Sequence, residues 1–350
     1  MKKTAIIYSP KYLEHNPGRG HPESPERLRV IMDELDKSKI LENEEIEVLA
    51  PEIAKEEDLM LVHRPDYIEL VKKVCSRGGG LLDLGDTVVS PKSFEAAIYA
   101  VGGAKRAVDL VLNKEFRNAF AFVRPPGHHA LPYAACGFCL FNNIAIAASH
   151  LMRKYGMEKI LILDIDAHHG NGTQEIFYDT NKVLYISLHQ DPRGFPGVGF
   201  PDEVGKGEGE GFTVNIPFPF RTTDEFYLEA FNEIVIPIIE QYSPDFTMLS
   251  VGFDGHYTDP VASLWLSANV YVHIFREIYK LSNGKFIAVL EGGYSLEWIG
   301  RIAVAVVSLM AGLDFKLEDE PQHANERVRS RAKEFLDKVR EIQSTFWRLS

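Results

Sequence analysis

Positions 164, 166 and 168 hold Asp, Asp and His, directly after the apolar run "ILIL" (160–163). In extended backbone, alternate residues share a face, so Asp164, Asp166 and His168 point the same way while the strand lasts. Neighbouring carboxylates repel unless a cation or hydrogen bonds compensate, which favours a metal site over simple turn capping. Asp166 and His168 offer two ligands, and Asp254 of "GFDGH" (252–256) offers a third. Three protein ligands with one open position suit a catalytic zinc, and the same Asp/His/Asp set suits Fe(II). Asp164 is then left to orient a histidine from behind the metal. His128 and His129 follow the Pro-Pro-Gly turn of "RPPGHHA" (124–130). Two imidazoles beside a metal suit proton transfer, with Asp164 and Asn171 available for their far nitrogens. Tyr294, after the Gly-Gly of "EGGY" (291–294), can donate to a developing oxyanion.

The elements that must hold these groups are legible as short apolar runs at 4–8, 119–123, 160–163, 183–188, 246–251 and 286–290. Helical patterns at 94–112, 141–156 and 225–242 alternate with them. Apolar strands alternating with helices predict a single α/β domain with a mainly parallel sheet covered on both faces. Four of the runs lead into "RPPGHHA", "DIDAHHGNG", "GFDGHYTDP" and "EGGY", so polar groups from four strands meet at carboxyl ends, where open α/β sheets bind ligands. Residues 1–315 are expected to form the catalytic domain. Residues 316–350 hold an amphipathic helix with the stripe Val328, Ala332, Phe335, Val339, Ile342 and Phe346. That stripe is expected to pack on the body, with a homo-oligomer contact as the alternative.

The remaining motifs predict less. "GKGEGEG" (205–211) is followed by a β-like segment, not a helix, which removes a dinucleotide reading. "GGG" (78–80) reads as a loop, and "CGFC" (136–139), like Cys75, as core packing without a redox role. His189 and His256 are expected in buried hydrogen bonds, and His15, His63, His150 and His323 in structural or surface roles.

Composition bounds the function class. Of 350 residues, 45% are hydrophobic and 25% charged, and the formal net charge is −12. With no basic run to neutralise phosphates, direct nucleic-acid binding is not expected. Three cysteines cannot build a disulfide framework, which favours a reducing, cytoplasmic setting. The apolar part of the N-terminal stretch stops at Pro10, too short for a signal core, and no run approaches a membrane span.

In chain order, "GHPESPERL", "RPPGHHA", "GFCLFNN", "DIDAHHGNGTQEIFY", "ISLHQ", "FPGVG", "GFDGH" with a following "DP", and "EGGY" resemble the histone deacetylase superfamily over residues 20–300. That superfamily includes acetylpolyamine amidohydrolases and acetoin-utilisation proteins. The resemblance implies the arginase/deacetylase fold with a central eight-stranded sheet. It assigns zinc to Asp166, His168 and Asp254, the histidine dyad to His128 and His129, and transition-state donation to Tyr294. It further implies Phe138 and Phe195 as walls of an acyl-lysine tunnel, Gly137 as the acceptor of the substrate amide, Asp86 on the rim and Arg27 in an interior product cavity. One structural K⁺ or Na⁺ ion would lie at Asp164, Asp166, His168, Ser187 and Leu188, and another at the carbonyls of Phe177, Thr180, Val183 and Phe212. Asn171 points to the class II-like branch.

Two departures bear on substrate. "DPVASLWLS" lacks the glycines usual after the third ligand, and Val261 stands where polyamine-selective relatives can carry an acid. The implied function is zinc-dependent removal of an acetyl or other acyl group from a lysine-like amine, acetyl-lysine of proteins before acetylpolyamine. An arginase-like ureohydrolase is the enzymatic rival, although it needs further bridging aspartates and Gly170 follows His169 here. A catalytically silent ligand-binding protein is the non-enzymatic one.

Overall fold

The structure is a computed structural model and describes residues 2–349. Its strands are β1 (Lys2–Ile7), β2 (Ile46–Leu49), β3 (Gly80–Leu81), β4 (Val88–Val89), β5 (Phe116–Ala121), β6 (Ile160–Asp164), β7 (Val183–Gln190), β8 (Thr213–Phe218), β9 (Phe246–Val251) and β10 (Phe286–Leu290). Eight of them form one sheet in the order β2-β1-β5-β10-β9-β6-β7-β8, and every pairing is parallel. The sheet is therefore wholly rather than mainly parallel. Of the named strands, β3 and β4 alone pair antiparallel, in a small separate hairpin that takes in Gly80 of the glycine run.

The helices are α1 (Glu26–Lys37), α2 (Glu56–Leu59), α3 (Pro65–Ser76), α4 (Ser93–Leu112), α5 (Asn143–Tyr155), α6 (Asn171–Phe177), α7 (Asp224–Ala230), α8 (Ile236–Tyr242), α9 (Ala268–Leu281), α10 (Ile299–Ala311) and α11 (Glu326–Gln343). Strands β6 to β10 are buried at every residue, so both faces of the sheet are covered, as their unbroken apolar runs require. Among the described residues, no helix is long and apolar enough to cross a membrane.

Three expected elements differ in detail. The run at 119–123 belongs to a strand that begins earlier, at Phe116, and Asn118 inside it bonds Thr4 of β1 at 2.8 Å. The helix expected from 141 begins at Asn143, because Asn142 caps it by accepting from the Ala145 amide at 3.0 Å. The helix expected over 225–242 is interrupted by a π turn at Phe231–Val235, just before Pro237, whose missing N–H cannot extend an α ladder.

Helix α11 lies against α7 and β8. Ala332, Leu336, Val339 and Gln343 are its buried residues, so the true stripe runs through Leu336 rather than through Phe335 and Phe346. Arg329 pairs with Glu225 at 2.8 Å, Arg340 with Glu229 at 3.0 Å, and Trp347 donates to the Gly211 carbonyl at 3.0 Å. These contacts fasten the helix to the body, with the apolar Leu336 on the inner face.

Candidate active site

The carboxyl ends of β5, β6, β9 and β10 converge on one cavity of about 350 Å³. Strand β6 ends at Asp164, which is fully buried. Its Oδ2 lies 3.0 Å from His128 Nδ1 and accepts from the Tyr185 hydroxyl at 3.0 Å. Its Oδ1 accepts from the Asp166 amide at 3.2 Å, which holds the turn that presents the next carboxylate.

Asp166, His168 and Asp254 each bring one donor atom within 4.8 Å of the other two. Asp166 accepts from the His168 and Gly292 amides, both at 2.8 Å. Asp254 accepts from the Ala167 amide at 2.9 Å, and its other oxygen lies 2.9 Å from His168 Nδ1. The packing leaves no room for a side chain at Gly252, where a Cβ would stand 2.0 Å from Asp166 Oδ2. Burial, and then the charge of Asp166, push the Asp254 carboxyl up to about 7. Neither carboxylate pairs with a lysine or arginine among the described residues, so the cluster carries negative charge that only imidazoles balance.

His128 and His129 lie with ring centroids 4.0 Å apart and have different partners. Burial opposes a charge on His128, but the carboxylates of Asp164 and Asp166 prevail and raise its pKa to about 10. Burial and then cationic His128 push His129 well below the ordinary histidine range. His129 Nδ1 meets Asn171 Oδ1 at 2.8 Å, and an amide oxygen can only accept. The proton therefore sits on Nδ1 and the Nε2 lone pair is free. The surroundings thus favour the charged form of His128 and the neutral form of His129.

The cavity walls include both histidines, Gly137, Phe138, Phe195, Asp86, Val261, Asp166, His168 and Tyr294. Phe195 stands 4.9 Å from the His129 ring and Phe138 stands 5.9 Å from Tyr294, centroid to centroid. Gly137, at φ +52°, has the His129 ring 2.5 Å from where a Cβ would be, so any side chain there would displace the histidine. The Tyr294 hydroxyl makes no hydrogen bond among the described residues, although the residue lines the cavity.

Arg27 is not among the residues that line this cavity. It is fully buried behind it, with its guanidinium 4.8 Å over the Tyr294 ring and bonds to Gly293 O and Glu23 at 2.6 and 3.0 Å.

The residues named for monovalent ions fall into two groups. Asp164 and Ser187 are partners in the β6–β7 ladder, and the Leu188 carbonyl accepts from the Tyr227 hydroxyl at 3.2 Å. Phe177 and Thr180 share one turn, while Val183 opens β7 and Phe212 precedes β8. His189 and His256 are buried and hydrogen bonded, to Gly199 O at 2.9 Å and Asp319 at 3.0 Å. Cys136 and Cys139 face each other across a tight turn, and all three cysteines are free thiols.

Two positioning carboxylates escaped sequence reasoning. Asp259 accepts from the Tyr294 amide at 2.7 Å and from the Val261 amide at 2.9 Å, tying the tyrosine loop to the β9 loop. Glu291 accepts from the Gly127 amide at 2.7 Å and the His128 amide at 3.1 Å, and so fixes the histidine loop from β10. Glu291, His128 and Cys139 also form a compact donor cluster, but both Glu291 oxygens are already engaged, one of them by Ser250 at 3.1 Å. The only local signals were the acid opening "EGGY" and the Asp-Pro pair at 259–260.

A model of the histone deacetylase domain matches residues 21–310. The chain is 42% identical to a protein named "Probable deacetylase" from Archaeoglobus fulgidus, over 99% of both chains. It is 36% identical to a histone deacetylase-like amidohydrolase of Pseudomonas aeruginosa, over 86% of this chain and 79% of that one. The crystal structure of the HDA15 HD domain superposes with a TM-score of 0.90 at 34% identity, covering 99% of this chain and 95% of that chain. The all-parallel sheet, flanked by helices, has the arginase/deacetylase architecture that the sequence motifs implied. With histidines, carboxylates and a free phenol gathered at its strand ends, the chain belongs to the histone deacetylase family, whose members named here are deacetylases and amidohydrolases.

Proposed function

We propose that this protein hydrolyses the N-acyl bond of an acylated lysine in a protein or peptide, with a zinc-type divalent ion held by Asp166, His168 and Asp254. The observation that carries this reading is the different partnering of the two histidines, His129 on the Asn171 amide oxygen and His128 on the Asp164 carboxylate, in a cavity that Tyr294 also lines. The donor set fits the ion, since one imidazole nitrogen and two buried carboxylate oxygens converge with no lysine or arginine against them. When bound, such an ion supplies polarisation of the acyl carbonyl and acidification of water.

The chain's own groups divide the remaining work. His129 Nε2 takes the proton of the attacking water and later delivers it to the leaving amine. His128, held charged by Asp164, offsets the negative charge that builds up as the water attacks. The Tyr294 hydroxyl donates to the oxygen that becomes the oxyanion, and Asp259 holds its backbone in place. Phe138 and Phe195 suit the methylene stem of lysine, and Gly137 leaves room for the amide to approach. Residues 1–315 supply this machinery and residues 316–350 add a C-terminal helix. The carbonyl clusters at Asp164–His168 with Ser187 and Leu188, and at Phe177, Thr180, Val183 and Phe212, are proposed to hold K⁺ or Na⁺. Three free thiols suit a cytoplasmic setting.

Val261 favours acyl-lysine over acylpolyamine, because an apolar residue at the cavity offers no charge to a second ammonium. The test is acetate release by zinc-loaded protein from an acetyl-lysine peptide and an acetylpolyamine, with Asp254→Ala as control. Turnover of the peptide alone, absent in the variant, is the expected result. Preferred turnover of the polyamine would replace the substrate reading. Hydrolysis of a guanidinium with near two metal ions per chain would replace the reaction.

A further inference from the structure

Beside the cavity lies a second, larger hollow of about 570 Å³, and Gly194 lines both. It is walled by the loop after β7, the loop after β8 and the first turns of α11. Four arginines face it, Arg193, Arg221, Arg327 and Arg331, against the single carboxylate of Asp191. On a chain of formal net charge −12 that is a local reversal of sign.

The pairing of these arginines differs from that of their neighbours. Arg329 and Arg340, on the side of α11 that meets α7, are neutralised by Glu225 and by Glu229 with Glu233. Arg327 and Arg331 make no ion pair among the described residues, and Arg221 stacks 4.8 Å over the Trp265 ring rather than on an acid. Asp191 is consumed by Arg193, whose Nε lies 2.8 Å from its Oδ1. Phe220, 47% exposed, adds an apolar wall. The hollow continues past Arg331 into a further groove that reaches Lys338 and also carries Glu334, so the excess of positive charge is concentrated at Arg221, Arg327 and Arg331.

We infer that this groove receives an acidic segment of the polypeptide that carries the acyl-lysine, so that the enzyme prefers acylated lysines flanked by Asp or Glu. The inference rests on the acyl-lysine reading above and deepens it by naming the substrate's neighbours. Continuity with the catalytic cavity places the groove where the backbone on one side of a bound lysine must run. The unpaired guanidiniums supply charge complementarity, and they would repel a polyamine, which is cationic along its length.

The test uses two acetyl-lysine peptides that differ only in carrying glutamates or glutamines on both sides of the lysine. Exposed pairs of this kind lower KM for the acidic peptide by about three- to tenfold, with kcat unchanged. The combined Arg327→Glu and Arg331→Glu variant removes that advantage while turning over the glutamine peptide as the parent does. In the parent enzyme alone, the advantage shrinks as NaCl is raised, which keeps the test valid if the double variant fails to fold. Equal KM for the two peptides, an advantage that survives charge reversal, or one indifferent to salt would each overturn the groove. Citrate that binds the groove without any peptide preference would also overturn it, in favour of a small-anion pocket. A fluorescent glutamate-rich peptide without an acyl group separates this inference from the reaction itself. Its binding, lost on charge reversal in a protein that deacetylates nothing, would uphold the groove and reject the hydrolase reading; absence of binding would reject the groove.

Discussion

Two histidine–aspartate contacts in this molecule, one fully buried and one partly exposed, have nearly the same distance and opposite consequences. His128 and Asp164 meet at 3.0 Å at the carboxyl edge of the sheet, and His150 and Asp109 meet at 2.8 Å between helices α5 and α4. Asp109 is also bonded by Lys154 at 3.0 Å and by the Tyr155 hydroxyl at 2.7 Å. Burial opposes the charge on Asp109, but these donors outweigh it and hold the carboxyl at about 2. That cluster closes on itself, and none of its members lines the catalytic cavity. Asp164 instead lies with Asp166 around His128, next to Asp254, and among the described residues no lysine or arginine forms an ion pair with any of the three. A histidine–aspartate pair is therefore not a site by itself. Unbalanced buried charge beside a cavity makes one.

Four measurements break or sharpen that contrast. Asp254→Ala is expected to abolish acetate release, a loss of at least about 10³-fold, and to lower the zinc bound per chain. Retained zinc with full turnover would remove Asp254 from the ligand set. Tyr294→Phe should cut kcat by about 10²–10³-fold with little change in KM, since the hydroxyl acts on the oxyanion and not on the ground state. An unchanged kcat would exclude the hydroxyl from the mechanism.

Asp164→Asn removes the charge that keeps His128 cationic, and kcat should fall about 10- to 100-fold while the zinc content changes less than in Asp254→Ala. The matching change on the other side, Asp109→Asn, should leave kcat untouched and cost about 1 kcal/mol of stability in urea denaturation near pH 7. Its pH dependence has a definite sign. A carboxylate held below its ordinary pKa stabilises the fold above that ordinary value, and the benefit fades as pH falls towards about 2. Parent and Asp109→Asn should accordingly converge in acid. A gap that persisted at pH 2, or lost turnover in Asp109→Asn, would erase the distinction between the two pairs.

Much of the site was legible because its groups are local in sequence. The apolar run marks the strand, but the expected alternation stops early: β6 ends at Asp164, and Asp166 and His168 follow in a bend held by the Asp166 amide on Asp164 Oδ1. His128, His129, Tyr294 and Asp254 were found by the same logic, each a polar group released just after a buried run. What the sequence did not show depends on distant partners. Glu291 and Asp259 act on backbone amides of loops from other strands, so nothing beside them in sequence marks the role. Arg27 lies behind the tyrosine because its guanidinium finds carbonyls 264 and 266 residues away. Leu336 rather than Phe335 is buried because α11 is seated on β8 and α7, a contact that lies far away in sequence.

The sequence by itself determined the parallel α/β class, the strand ends where polar groups gather and the side chains that the structure brings to the cavity. All of these follow from short-range periodicity and side-chain chemistry. Tertiary structure alone decided which histidine meets a carboxylate and which an amide, which carboxylates gather without a lysine or arginine among the described residues, and which arginines are left without an ion pair beside the cavity. Charge state is a property of surroundings: burial removes water, and only the folded chain determines which groups take water's place.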